Sequence, residues 1–290
     1  MASIQGKKMN PSRFHPSQIK FYMILIPMAV LTGLPIVFIF SQALKPLNEL
    51  YLYPPRFFVS NPSLSSFRKL AEAMNGSDVP IYRYFFNSIL STLLTVLCTV
   101  AITASAGYAL SKKNFRAKNL VFGINTMALM FVGAAVKIPK YLIVYKTGMI
   151  DSFLVHVIPA LAMPVGLFLV KQFMDQIPNE LLEAAKIDGA TDWYIFRRIV
   201  VPLSRSSLAT VVILTFQTAW NTIEASELYL NRDNLKTFGY YMSTLTTTGN
   251  DVAGIGMAAA ATLIMFIPNL IIFIVMQNNV MSTMAHSGIK

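Results

Sequence analysis

Long apolar runs alternate with shorter polar segments along this chain. The first run, residues 21–44, carries no charge and is longer than the core of about 7 to 15 apolar residues of a signal peptide, so we expect it to remain as a membrane span. Five further runs follow at residues 84–111, 119–145, 152–170, 206–223 and 252–276. A helix of about 20 apolar residues crosses a bilayer. The pattern therefore predicts an all-α, polytopic membrane protein with six transmembrane helices.

The composition favours the same class. Hydrophobic residues make up 54% of the 290 residues and charged residues only 13%, too few to cover the surface of a soluble domain. The net charge of +11 comes from basic residues scattered between apolar runs, which argues against a nucleic-acid partner and for a chain surrounded by membrane lipid. The single cysteine, Cys98, excludes a disulfide framework and a cysteine-based metal site.

The basic residues also predict the orientation of the spans, because Lys and Arg are enriched in cytoplasmic loops. The amino-terminal tail 1–20, the short loop 112–118 and the loop 171–205 are rich in them, so we expect these segments in the cytoplasm. Both termini are then cytoplasmic. The remaining divisions are a membrane domain at 21–277, an extracytoplasmic loop at 45–83 and a tail at 278–290.

The sequence predicts two further local features, a helix in the extracytoplasmic loop and a break in the third run. In the extracytoplasmic loop, Asn61 as cap and Pro62 as first residue predict an amphipathic helix that ends near Asn75. This helix lies on the outer membrane face or packs on its own domain, and the sequence leaves both open. In the third run, Pro139 is predicted to break the helix and free backbone carbonyls.

A polar island between the fourth and fifth runs predicts two short helices joined at a sharp corner. Pro178 can open the first helix, and Gly189 lies where a left-handed cap is least costly. Thr191 or Asp192 can then cap the second helix, which Pro202 limits.

The spacing within this island resembles the EAA loop of the permease subunits of bacterial ATP-driven (ABC) importers. The residues in register are Glu183, Ala184, Ala185, Gly189, Ile199 and Pro202. The departure is Val201, where that family usually has Leu, and the Asp188-Gly189-Ala190 variant is similar to the carbohydrate branch that contains the maltose permeases.

The resemblance implies a coupling role for the loop, which in that family faces the cytoplasm and docks into a groove on the ATPase. The coupling residues it implies are Glu183, Ala184, Ala185, Asp188 and Gly189. It further implies the bacterial inner membrane, a second homologous permease subunit, a dimer of cytoplasmic ATPase subunits and an extracytoplasmic solute-binding protein. Residues 281–290 resemble family tails that reach between the ATPase subunits, and a frayed end is the alternative.

The chain lacks the motifs of an enzyme. It has no phosphate-binding loop, so ATP and Mg are expected in the partner ATPase and no cofactor in this chain. The histidines are isolated from other metal-binding side chains, which predicts no metal site. A secondary transporter or channel is the alternative class, but its coupling carboxylates are missing from the runs, with Glu224 at one boundary as the nearest.

Two groups of residues are candidates for the substrate path. Gln217, Trp220 and Asn221 share helical spacing and suit stacking on a sugar and bonding to its hydroxyls, with interhelical hydrogen bonding as the alternative. Lys137 and Lys140 lie three apart with no acidic residue in their run, which favours an acidic, uronate-type oligosaccharide. If both lysines only contact lipid phosphate, neutral oligosaccharides such as maltodextrins remain.

Overall fold

The computed structural model describes residues 19–75, 79–248 and 252–287, and these ranges contain helices, turns and loops but no strand. The helices are α1 (Ile19–Leu44), α2 (Leu47–Leu50), α3 (Ser65–Asn75), α4 (Ile81–Lys112), α5 (Lys118–Ala128), α6 (Gly133–Lys146), α7 (Pro164–Asp175), α8 (Asn179–Ile187), α9 (Asp192–Ile195), α10 (Val201–Leu203), α11 (Arg205–Asn221), α12 (Glu224–Leu228), α13 (Phe238–Thr248) and α14 (Val252–Ser287). Short 3-10 turns cover Phe153–His156, Ile158–Ala160 and Asp233–Leu235, and a π-helical turn covers Phe196–Val200. The predicted all-α class is confirmed.

Three uninterrupted helices in the described ranges are long and apolar enough to cross a membrane, namely α1, α4 and the part of α14 at Gly254–Gln277. Three bent pairs also qualify. The pair α5 and α6 is bent by 114°, the segment Phe153–Ala160 with α7 by 42°, and Asp192–Leu203 with Arg205–Leu228 by 76°. The predicted total of six spans is reached when each bent pair counts as one.

The third predicted span is therefore two helices, and its break is not at Pro139. The chain turns between Ala128 and Gly133, where Leu129 and Met130 donate to carbonyls three residues back and so tighten the end of α5. Pro139 lies inside α6, which continues to Lys146. The prediction located the break at the proline because proline is the strongest local signal in the run.

The helix of the first polar loop also begins later than predicted. The backbone N–H groups of Ser60 and Asn61 donate to the carboxylate of Glu49 at 3.0 and 2.8 Å, which holds this segment out of the helix. α3 begins at Ser65 instead. Its Leu70 is 1% exposed and packs in a cluster with residues of α13 and α14, so the helix packs on its own domain.

The last helix runs further than predicted. α14 continues to Ser287, so most of the segment 278–290, predicted as a tail, is helical. Residues 1–18 and 288–290, which include most of the predicted amino-terminal tail and the end of the carboxyl-terminal one, lie outside the described residues.

α4 lies at the centre of the bundle, against α7 and α11. Its buried face carries small polar residues: Asn87, Ser88, Ser91, Thr92, Thr95, Thr99 and Thr103. The hydroxyls of Thr95 and Thr103 donate to carbonyls four residues back in α4 itself, at 2.7 Å. Gly107 continues this face, and a Cβ there would lie 2.8 Å from a methyl carbon of Val170 in α7. Small side chains thus let the three helices approach closely.

Candidate functional site

The predicted corner is present between α8 and α9. Gly189 has a φ of +82°, in the left-handed region. Its N–H donates to the carbonyl of Lys186 at 3.0 Å, and the N–H of Ala190 donates to the carbonyl of Ala185 at 2.9 Å. This paired pattern is the Schellman motif, which satisfies carbonyls left free at the end of a helix. The corner is therefore fixed by backbone hydrogen bonds around one glycine.

The second helix begins as predicted. The hydroxyl of Thr191 accepts a hydrogen bond from the N–H of Tyr194 at 3.3 Å, which makes Thr191 the cap. The helix continues through the π-helical turn into α10, which ends one residue after Pro202. Ile195 is fully buried and packs with Leu182 of α8 in the cluster that joins this loop to α4, α7 and α11.

Polar contacts attach the loop to the end of α4. Lys112 donates to the carbonyl of Ile177 at 2.5 Å and to the side chain of Asn179 at 3.1 Å. Lys113 forms an ion pair with Asp192 at 2.5 Å, and this contact raises the pKa of Lys113. A movement of the loop relative to α4 must therefore break contacts to two adjacent lysines.

The outer surface of the loop is open. Glu183, Ala184, Asp188 and Gly189 are exposed, and Glu183 forms no ion pair with any residue in the described ranges. Ile187 is 87% exposed. A groove of about 600 Å³ runs beside the corner, and its lining includes Ala185, Asp188 and Gly189. Exposed apolar side chains around a groove are typical of a surface that binds another protein.

The predicted amides of the path lie together at the end of α11 that is remote from this loop. The side chains of Asn221 and Asn269 form two amide hydrogen bonds, at 3.3 and 3.0 Å. Together with Gln217 they line a cavity of about 340 Å³, and Asn221 also lines a second one of about 260 Å³. Asn269 was missed by the sequence analysis, although an amide within the last apolar run is itself a signal.

Trp220 does not join this group. It is 4% exposed, its indole N–H donates to the carbonyl of Met265 at 3.2 Å, and its ring stacks on Phe216. These contacts favour packing over sugar stacking for Trp220.

The two lysines of α6 have different environments. Lys140 forms an ion pair with Glu224 at 3.1 Å, although 84 residues separate them. No acidic residue lies in the run of these lysines, as the sequence analysis states, but Glu224, just after the run 206–223, pairs with Lys140. Lys137 is exposed and has no ion-pair partner within the described part of the chain. Lys140 lines a cavity separate from those at Gln217 and Asn221.

Three similarities to known proteins extend over most of the chain. It is 26% identical over 271 residues to the arabinooligosaccharides transport system permease protein AraQ of Bacillus subtilis (strain 168), which covers 93% of this chain and 94% of AraQ. It is 27% identical to the lactose transport system permease protein LacG of Rhizobium radiobacter, over 76% of this chain and 80% of LacG.

The third similarity is structural. A chain of a bacterial ABC transporter involved in the import of the acidic polysaccharide alginate superimposes with a TM-score of 0.73 and 19% identity, over 92% of this chain and 99% of that chain. At this identity the similarity is one of fold.

A family model, described as the binding-protein-dependent transport system inner membrane component, matches residues 25–280. The match includes α8, the Gly189 corner and the bent spans that surround α4. Because it extends over nearly the whole chain, this protein belongs to the family of inner membrane components of binding-protein-dependent transport systems.

Proposed function

We propose that this chain is one of two permease subunits that together enclose the path of an oligosaccharide, and that an ATPase dimer drives the transport. As a family member the chain is a transport component of the inner membrane rather than an enzyme, which sets aside a secondary transporter or channel. The observation that carries the proposal is the rigid corner beside an exposed Glu183 with no ion-pair partner in the described ranges.

The loop suits docking to the ATPase for two reasons. Glu183 can accept a charge-assisted hydrogen bond from a basic residue of a partner, and Ile187 and Trp193 offer exposed apolar surface beside it. On the proposed arrangement both termini and this loop are cytoplasmic. A solute-binding protein then docks at the other end of the bundle, where the loop 45–83 lies.

For the substrate we propose a neutral oligosaccharide. Lys140 was one of two lysines that favoured an acidic sugar, and its ion pair with Glu224 leaves that pair of side chains with no net charge. The amides of Gln217, Asn221 and Asn269 line a cavity that suits hydroxyl groups, since an amide both donates and accepts. AraQ and LacG are named for uncharged sugars.

An acidic oligosaccharide is the second candidate, and Lys137 favours it. This ammonium lies on an exposed face of α6 with no ion-pair partner among the residues that the structure describes. A uronate carboxylate would neutralise it.

Transport by the assembled importer in proteoliposomes separates the two candidates. We expect uptake of an uncharged trisaccharide to exceed uptake of a saturated triuronide, and Lys137→Gln to leave uptake of the uncharged sugar unchanged. Preferred uptake of the triuronide, lost in Lys137→Gln, would replace the first candidate with the second. Co-purification of an ATPase with the chain tests the importer assignment itself, and its absence would contradict that assignment.

A further inference from the structure

A cavity of about 400 Å³ lies behind α6, at the end of α11 that is remote from the coupling loop. Its polar lining comes from Lys140, Glu224, His156, Tyr229, Thr218 and Thr222. The volume is within the range of small-molecule sites, about 300 to 1,000 Å³. This cavity is distinct from the amide-lined ones at Asn221, so it needs its own explanation.

The positive charge of Lys140 and the negative charge of Glu224 cancel in the wall of this cavity. Lys140 Nζ and Glu224 Oε1 are 3.1 Å apart, and the two side chains remain 38% and 27% exposed. An ammonium has three N–H donors and a carboxylate has two acceptor oxygens, so this single contact leaves donors and an acceptor for a ligand. A ligand that binds here meets both kinds of group at one point, with no net charge.

Two further polar groups lie in the same wall. Tyr229 is 1% exposed, and its hydroxyl is buried without a hydrogen-bond partner in the described ranges. His156 is 5% exposed, and its Nε2 lies 3.0 Å from the carbonyl oxygen of Leu235. A carbonyl oxygen only accepts, so Nε2 donates, and Nδ1 of the neutral ring is an acceptor. A hydroxyl-bearing ligand in the cavity would give the Tyr229 hydroxyl the hydrogen-bond partner that it lacks among the described residues.

We propose that this cavity binds one uncharged glycosyl unit. Adjacent sugar hydroxyls donate and accept at once, which matches an ammonium beside a carboxylate, and the Tyr229 hydroxyl can bond to a third. Because the ion pair has no net charge, it gives a charged ligand no net attraction to offset the cost of removing that charge from water, and an apolar ligand would desolvate the ion pair without replacing its hydrogen bonds. The rings of Tyr141 and Tyr229, 6.0 Å apart, add aromatic surface beside the polar groups.

The inference rests on the proposed function, and it adds a site for one glycosyl unit that is separate from the cavity lined by Gln217, Asn221 and Asn269. Tyr229→Phe is the most informative variant, because it removes one hydroxyl and keeps the ring. Glu224→Gln removes the charge and keeps the shape. The matched controls are Tyr145→Phe, at an exposed tyrosine of α6, and Glu72→Gln, in the exposed ion pair with Arg68.

The experiment titrates arabinotriose, lactose and a saturated triuronide into the assembled importer in nanodiscs by calorimetry, and measures uptake of the same sugars in proteoliposomes. We expect Tyr229→Phe to weaken binding of an uncharged sugar about three- to tenfold, and Glu224→Gln about tenfold or more. The melting temperature of Tyr229→Phe without sugar should stay the same or rise, because the hydroxyl has no partner to lose. If Tyr229 had only a structural role, Tyr229→Phe would lower the melting temperature together with the sugar affinity.

The outcomes distinguish the inference from the function on which it rests. If the parent protein imports lactose or arabinotriose and both variants bind it as tightly as the parent, the cavity is not the sugar site, although the proposed function stands. The inference is also overturned if the two control variants lose as much sugar affinity as Tyr229→Phe and Glu224→Gln do. If the parent imports and binds only the triuronide, or no sugar at all, both the inference and the proposal of a neutral substrate fail.

Discussion

The corner at Gly189 allows a quantitative test of coupling. An L-residue in the left-handed region costs roughly 1–2 kcal/mol, and Gly189 has a φ of +82°. A Cβ at Gly189 would meet no atom within 4 Å, so this backbone strain is the whole direct effect of Gly189→Ala. A cost of that size corresponds to a factor of about 5–30 in the population of the corner. We therefore expect Gly189→Ala to weaken docking of the ATPase by up to that factor.

The assay is the number of sugar molecules imported per ATP hydrolysed in proteoliposomes, together with the affinity of the ATPase for the permease. Gly148→Ala is the matched control, because Gly148 has a φ of +68°, has equally open surroundings and lies outside the loop 171–205. We expect the ratio to fall in Gly189→Ala and to stay at the parental value in Gly148→Ala. A parental ratio in Gly189→Ala, or an equal loss in both variants, would refute the reasoning.

Three further predictions concern single side chains. Glu183→Gln should reduce transport per ATP, while Glu180→Gln, at another exposed glutamate of the same helix, should not. Equal behaviour of the two in proteoliposomes would contradict a specific role for Glu183. Lys113→Gln removes a partly exposed ion pair to the loop. The variant should therefore lose less coupling in high salt than the parent does, which a salt titration of the same assay measures. The backbone N–H of Ser60 donates to Glu49 and holds the pKa of that carboxyl below its usual value. The stability it adds is thus complete above about pH 4.3 and is lost as pH falls through the lowered pKa. The protection of amides in residues 45–61, measured as the ratio of the intrinsic exchange rate at each pH to the observed rate, should therefore fall on acidification in the parent and change less in Glu49→Gln.

Local chemistry made the corner between α8 and α9 predictable from its residues. Gly189 and Thr191 act on their own neighbours in the chain, through a left-handed cap and a side-chain cap, so the corner follows from a stretch of about a dozen residues. The apolar runs likewise locate the spans, because crossing a bilayer depends mainly on length and apolar character.

Contacts between distant segments could not be predicted in this way. Glu224 is 84 residues from Lys140, and nothing in the local sequence of either indicates the other. Trp220 was a reasonable sugar contact by spacing, yet it packs against residues of other helices and bonds to Met265, 45 residues away. The break between Ala128 and Gly133 was missed for a different reason, since neither a proline nor a side-chain cap marks it.

The small hydroxyl residues on α4 have a mechanical consequence. Because Thr95 and Thr103 bond to their own helix, a shift of α4 along its neighbours breaks neither of these hydrogen bonds. Contacts to other segments lie towards its two ends, where Asn87 donates to the carbonyls of Asn234 and Lys236, and Lys112 donates to that of Ile177. Asn87 and Lys112 are about 37 Å apart along α4, since an α-helix rises about 1.5 Å per residue. The Thr95 and Thr103 hydroxyls therefore do not tie α4 to its neighbouring helices. If α4 moves as one rigid helix in a shear motion, a displacement at one side of the membrane is carried to the other side.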